Sequence, residues 1–531
     1  MSKRSLALLV GAVVVALELG LGAAVGFRQL WPTLTADRIT CVLVLVSLLI
    51  AVPLCPLGAG VDRLLDALAR FRLIWLVLPI GVVVVLSIGT ILVTGTTPGS
   101  PDELVPLWQS AHFSHLELVA RYSPGLLDAA MPRALQQTFV LVSSDARAVS
   151  VYFPGWALAM TPFTGVGAPW LLGPVMAGLA ITMIGRVAVQ LTDTRTALLA
   201  LVFTVASGTF LLTGMTLYPA TGNLAVAMLW VWLILRDRPR WDFVAGLAGG
   251  LALNFNNQVP HAAFVLPWVL WLLAGQSRRR RLLPLAAGYL PGILLTVGWY
   301  LVQRGVPTPG LEQHGDFWLS KLHELVGIPT VYSLTARLLD LCSVWTWSTP
   351  GLLLFAWLGW RRAEGNTPLR LLGLSFATTV LAYVFFPLDQ GLGYGARYYH
   401  VAWGALPILA AYGLRLPDGE RTRHFALAAA CVGLIVVLPL QLLFGRAANN
   451  NRTEPIQALA GPGVNLVFVD FEKIPYPQIV LADDLAGGPS TLIVLASQGD
   501  AADRNLVAQY FPGARLIDEN ETGSGWARPA P

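Results

Sequence analysis

The sequence predicts an α-helical polytopic membrane protein of about 13 transmembrane helices, carrying a small C-terminal α/β domain outside the membrane. Three observations predict it. The 531 residues are 55% hydrophobic and 12% charged, with a mean hydropathy of +0.63, whereas soluble domains carry about 25% charged residues. Apolar runs close to the ~20 residues needed to cross a hydrocarbon layer recur along the chain as far as residue 444. Beyond residue 446 the pattern changes to short β-rich runs and one amphipathic helix.

The elements follow in order. "MSKRSLALLVGAVVVALELGLGAAVGF" has a basic start and an apolar stretch of full span length with no small-residue cleavage motif after it, so it reads as a retained first helix. Spans are expected near 6–26, 39–57, 74–94, 166–190, 197–216, 218–235, 241–256, 260–275, 283–303, 345–360, 370–387, 399–415 and 424–444. With the N-terminus in the cytoplasm, the inner segments hold 20 Lys and Arg and the outer segments before residue 446 hold nine. Positive loops stay on the cytoplasmic side, so this topology is the expected one. "SRRRR" at 277–281 is then a topology anchor, and the pI of about 9.1 needs no nucleic-acid partner. The chain divides into two N-terminal helices with a cytoplasmic loop (1–73), a transmembrane module with a long outer loop at 95–165 (74–445), and the outer α/β domain (446–531). Cys41, Cys55, Cys342 and Cys431 show no disulfide or metal spacing.

On this topology the acidic pair Asp102 and Glu103 faces outward directly after a span. After Pro101, Leu104, Leu107, Trp108 and Ala111 keep helical spacing, which predicts an interfacial helix with its apolar side toward lipid or bundle. A second short helix is expected around 133–142, and Pro154-Gly155 breaks the chain before it re-enters the membrane. In the tail, "NLVFVDF" and "TLIVLAS" read as strands, "AADRNLVAQYF" as a helix and "ARLIDE" as the last strand. No glycine-rich phosphate loop or nucleophile motif accompanies them.

The order of these motifs resembles the GT-C superfamily of membrane glycosyltransferases, whose members include protein O-mannosyltransferases, aminoarabinose transferases and oligosaccharyltransferases. The resemblance runs through roughly 74–415 and rests on Asp102-Glu103, on "SVYFPGW" with "GAPWLLGPVMAGL", and on "YGARYYHVAWGALPILAAYG". The chain departs from the family at Ser150 and Val151, where relatives usually carry a Lys, and at Asn256, Asn257 and Gln258, where they often carry an Arg.

The resemblance implies an inverting transfer of sugar from a polyprenyl-phosphate donor to an acceptor hydroxyl on a saccharide, lipid or protein, at the outer face of the cytoplasmic membrane. No cofactor is expected, and His112, His115, His261 and His400 show no metal-ligand spacing. Asp102 takes the role of general base, with Glu103 as its catalytic neighbour. Arg397, Tyr398 and Tyr399 are assigned to the carrier phosphate and lipid, because a guanidinium grips phosphate through two parallel bonds. Tyr152, Pro154, Trp156 and His261 are assigned to the sugar pocket. Each residue has a plainer reading. Asp102 also fits a helix cap, Glu103 a residue that complements the helix dipole, and Arg397 a headgroup anchor or a partner of Asp389. Tyr152 and Trp156 also fit an aromatic belt. At the level of function, the alternatives are a transporter or flippase of lipid-linked saccharide and an inactive scaffold.

Overall fold

A computed structural model describes residues 11–17, 20, 31–54, 58–131, 135–136, 138–255, 257–308, 326–387, 395–415, 420–470, 473 and 492–529. The first expected span, 6–26, lies largely outside these. The chain forms two compact units, one from Met1–Ile88, Gly173–Leu294 and Trp318–Phe444, the other from Gly89–Leu172, Leu295–Phe317 and Gly445–Pro531.

The first unit is helical. Among the described residues of the whole chain, five helices are long and apolar enough to cross a membrane: Ile74–Thr94, Pro169–Leu191, Arg279–Arg304, Thr367–Val384 and Thr422–Leu459. Two bent pairs raise the number to seven, and Ile39–Ala51, Pro219–Ile234, Val259–Ala274 and Ala405–Leu414 are apolar but shorter. Helix Ile74–Gly89 leaves Leu76, Ile80, Val84 and Ile88 exposed at steps of four, an apolar stripe that only a lipid-like surrounding tolerates. The protein is a membrane protein.

Its core is built on large buried rings, Trp230, Trp268 and Trp403 among them, two of which hand their indole N–H to a serine: Trp268 to Ser375 Oγ at 3.0 Å and Trp403 to Ser348 Oγ at 2.9 Å. Two helices approach through glycine. A Cβ on Gly246 of Pro239–Ala252 would stand 2.7 Å from the Cα of Gly288 on Leu282–Arg304, and one on Gly250 would stand 3.2 Å from the Cα of Gly292. Small residues allow such contact where no hydrophobic force draws helices together inside a bilayer. Asn254 Nδ2 closes this contact, donating to the carbonyls of Gly250 and Gly292 at 2.9 Å each.

One expected span is replaced by a bend. Residues 345–360 do not form one helix; Val331–Trp347 and Leu352–Arg362 meet at 96°. Pro350 has no N–H to continue the ladder, and Gly351 takes φ +83, open to glycine alone at little cost. Residues 197–216 are likewise broken, Thr194–Val205 and Gly208–Gly214 meeting at 68°. The two breaks satisfy each other. Thr349 N donates to Ser207 Oγ at 2.8 Å, and Thr349 Oγ1 to the Phe203 carbonyl at 3.1 Å. Backbone groups freed within a membrane need partners of this kind.

The second unit holds two sheets. In segment 95–165, strands β1 (Ala120–Arg121), β2 (Val140–Val142) and β3 (Arg147–Ser150) make an antiparallel sheet in the order β1-β3-β2. Around 133–142 the described residues form strand β2, and the short helix lies earlier, at Leu127–Ala130. The expected helix after Pro101 is present as Pro101–Ser114. Its buried Leu104, Val105 and Trp108 pack on Ala120, Met131, Val140 and Ala148, so the apolar side covers this local sheet. Helix Leu438–Leu459 runs past residue 444, where the span was expected to end. Beyond it, β4 (Leu466–Val469), β5 (Ile493–Ala496), β6 (Arg515–Asn520) and β7 (Gly523–Ala527) form a sheet in the order β5-β4-β7-β6. The last strand is therefore β7, which the glycines of "GSGWA" concealed, and not "ARLIDE". Phe468, Leu495, Trp526 and Val507 of helix Asp500–Tyr510 enclose a core that also takes Ala129 and Ala130 from segment 95–165.

Candidate functional site

In the second unit the acidic pair opens a helix. Pro101 starts Pro101–Ser114 without needing an N–H, and Ser100 supplies no side-chain cap. Asp102 and Glu103 then fall in the first turn, where the N-terminal dipole favours carboxylates. Their surroundings differ. Asp102 is half-buried, and its Oδ1 accepts a hydrogen bond from the Tyr152 hydroxyl. Glu103 is buried and its Oε2 accepts from the Gly99 N–H at 2.5 Å. Ser100 fills the cap position itself, so Asp102 does not replace it.

Tyr152 reaches Asp102 because "SVYFPG" is held at several points. Gln303 Nε2 donates to the carbonyls of Ser150 and Val151 at 2.8 and 3.0 Å, and Tyr152 N donates to Ser150 Oγ at 3.0 Å. Pro154, also buried, caps helix Gly155–Gly165, which is tied to Pro101–Ser114 by Ser110 Oγ and Thr164 Oγ1 at 2.8 Å. Trp156 is fully enclosed and acts as packing beneath this corner rather than as an exposed belt aromatic.

In the first unit, Arg397 opens a short 3₁₀ turn, Arg397–Tyr399. That turn rests on both helix breaks: a Cβ at Gly395 would stand 2.4 Å from Thr209 Oγ1 and 3.0 Å from the Cβ of Trp347. The Arg397 guanidinium lies 4.6 Å over the Tyr218 ring and 5.7 Å over that of Tyr398. Tyr398 stacks on Tyr383 at 4.6 Å and 3°. Tyr399 is fully buried with its hydroxyl 3.4 Å from the Arg337 carbonyl, a packing position away from any open surface. Asp389, the rival partner for Arg397, lies outside the described residues. His261 is also buried, bonded to the Tyr289 hydroxyl at 2.7 Å and set edge-on to Trp230. Among the described residues, no three His, Cys, Asp or Glu side chains converge as metal ligands do.

ArnT from Cupriavidus metallidurans bound to undecaprenyl phosphate superposes on this chain with a TM-score of 0.57 at 13% identity, covering 86% of this chain and 100% of ArnT. The apo state of the same protein gives 0.53 at 14% identity, covering 82% and 88%. This is the fold of ArnT. No family model matches the sequence, and no curated protein sequence matches it either.

On this fold, three charged residues escaped the sequence reading. Arg337 and Asp340 are both buried and paired at 2.9 Å, with the Arg337 guanidinium 5.0 Å over the Tyr398 ring. Their i, i+3 spacing in "ARLLD" looks like any solvated helix pair. Arg452 is buried and donates to the Gly99 carbonyl at 2.8 Å, yet it sits in the polar run "NNNRT", which reads as a linker. The aromatic density of "GYGARYYH" and "AYVFF" was the one signal for the Arg337 surroundings.

Proposed function

We propose that this protein transfers a sugar from a polyprenyl-phosphate donor to an acceptor hydroxyl, with inversion, at the outer face of the cytoplasmic membrane. The observation that carries the reading is the half-buried Asp102 carboxylate, held by the Tyr152 hydroxyl at the start of a helix on a GT-C fold. Asp102 removes the proton from the acceptor hydroxyl as its oxygen attacks the anomeric carbon. The bond from that carbon to the phosphate oxygen breaks on the opposite face, and the polyprenyl phosphate leaves with the electron pair. A phosphate with a second pKa of about 6 needs charge stabilisation more than a proton, so one base and neighbouring cations suffice. Arg397, set over the Tyr218 ring, supplies a guanidinium for that phosphate, and Arg337 adds charge over the Tyr398 ring. Tyr398 walls the carrier side with the buried Tyr399 packed behind it, Tyr152 orients the base, and Pro154 and Trp156 support it. The ArnT structure, which holds undecaprenyl phosphate, supports a polyprenyl phosphate carrier. The excess of Lys and Arg on one set of loops supports an inner N-terminus and an outer segment 95–165. Catalysis is assigned to 74–445 and an accessory role to 446–531.

The test is transfer by membranes supplied with radiolabelled undecaprenyl-phosphate hexoses and pentoses. Asp102→Asn is expected to lower the rate by about 10²–10⁴, the usual contribution of a positioned base. Wild-type transfer by that variant refutes the assignment. The two broken helices favour a second reading, a flippase, because transporters use discontinuous helices. A flippase would move lipid-linked saccharide across vesicles at the same rate with Asn at residue 102.

A further inference from the structure

Two charged side chains that the transfer chemistry leaves unused grip one residue beside Asp102. Helix Leu438–Leu459 turns Asn449 and Arg452, one helical turn apart, toward the start of segment 95–165. Arg452 Nη1 donates to the Gly99 carbonyl at 2.8 Å, and Nη2 donates to Asn449 Oδ1 at 3.3 Å. From the other side the Gly99 N–H donates to Glu103 Oε2 at 2.5 Å. Arg452 is 6% exposed and Glu103 4%, so both charges have left water, a move that is costly unless strong bonds replace hydration. A side chain at residue 99 would push both charged groups off its backbone. A Cβ on Gly99 would stand 2.2 Å from Arg452 Nη1 and 2.9 Å from Glu103 Oε2.

We infer that Glu103 and Arg452 are positioning residues, which clamp both backbone polar atoms of Gly99 and thereby fix the first turn that carries the Asp102 carboxylate. The inference rests on the reading of Asp102 as the base. Helix Pro101–Ser114 lacks the side-chain cap that usually fixes a helix start, and the clamp replaces it two residues upstream of Pro101. Arg452 lies on the helix that leads into the β4–β7 sheet, so the tail and the acidic pair share one mechanical link. Glu103 then acts on catalysis through Gly99, without touching substrate.

The experiment compares Arg452→Met, Arg452→Lys, Glu103→Gln, Gly99→Ala and Asp102→Asn in the full-length protein. Transfer is followed with the undecaprenyl-phosphate sugar that the wild type uses, alongside melting temperature in detergent and hydrogen exchange at 95–103. A misplacement of about 1 Å costs on the order of 10²-fold in rate. Arg452→Met, Glu103→Gln and Gly99→Ala are therefore expected to lower kcat by about 10- to 100-fold, with KM within about twofold, a lower melting temperature from the lost buried bonds and faster exchange at Gly99. Arg452→Lys, which can still donate to the Gly99 carbonyl, restores much of kcat. Wild-type kcat in Arg452→Met and Glu103→Gln, with Asp102→Asn dead, overturns the clamp. So does a joint fall of kcat and melting temperature that Lys does not rescue, since that is a purely structural role. Full transfer by Asp102→Asn removes the base assignment instead, and the positioning role with it.

Discussion

Removing the carboxylate of Asp242 should cost this bundle more stability than removing Asp242 and its arginine together. Arg281 grips Asp242 with a fork, Nε to Oδ2 at 3.0 Å and Nη2 to Oδ1 at 2.6 Å, while Nη2 also reaches the Ile234 carbonyl at 2.6 Å. The Asp242 side chain is 0% exposed and that of Arg281 9%. Each hydrogen bond to a charged group is worth about 1.5–3 kcal/mol, so the two lost in Asp242→Leu sum to about 3–6 kcal/mol. Asp237, which meets Arg281 Nη1 at 2.8 Å, retains part of the pairing but is 78% exposed and offsets little. The expected loss is about 3–5 kcal/mol, the range for stranding a buried charge. Arg281→Met in the Asp242→Leu background removes the stranded cation and leaves only the Ile234 carbonyl short of a donor, about 1–3 kcal/mol. Unfolding in detergent, followed by tryptophan fluorescence, should therefore rank wild type first, the double variant second and Asp242→Leu last. An Asp242→Leu variant within about 1 kcal/mol of wild type, or a double variant no more stable than Asp242→Leu, refutes the reasoning.

Other expectations follow from the same contacts. Tyr152→Phe removes the hydroxyl that donates to Asp102 and should lower kcat by about 10- to 100-fold, the rate equivalent of about 1.5–3 kcal/mol, without changing the melting temperature. Gly246→Val would drive its Cβ to 2.2 Å from the Leu285 carbonyl and should destabilise by about 1–3 kcal/mol or more, read as a lower detergent melting temperature. Burial pushes the Asp503 carboxyl above its ordinary range, against the bonds that it accepts from Ser497 Oγ and the Gln498 N–H. A folded-state value raised in this way contributes stability at acid pH that is lost as pH rises through it. Asp503→Asn should thus flatten the pH dependence of proteolytic resistance at 492–529 as pH rises above the ordinary carboxyl range, and an unchanged slope argues against the burial effect.

What could be read in advance was whatever repeats locally. Helix Ile74–Gly89 was legible because an apolar run of that length has one stable form in lipid, and Pro101–Ser114 because proline marks a first turn. Strands β1 to β3 have two, three and four residues, too few for a period of two to show. Span 345–360 was misread because hydropathy averages over Ser348, Thr349, Pro350 and Gly351, while the backbone turns at those four residues. Among the candidate residues, Asp102 and Arg397 each stood out by charge in apolar surroundings, but Tyr152 as the partner of Asp102 did not.

Composition and run length alone determined that this chain lives in a membrane, because transfer of apolar surface depends on how much there is and not on its partners. Only the tertiary structure decided which charges are buried. Arg281, Arg337 and Arg452 are written with the same letter as the solvated arginines around them, and each is singled out by a carboxylate or carbonyl brought from a distant or neighbouring turn. Desolvation and pairing are properties of that arrangement, so no single residue carries them in advance.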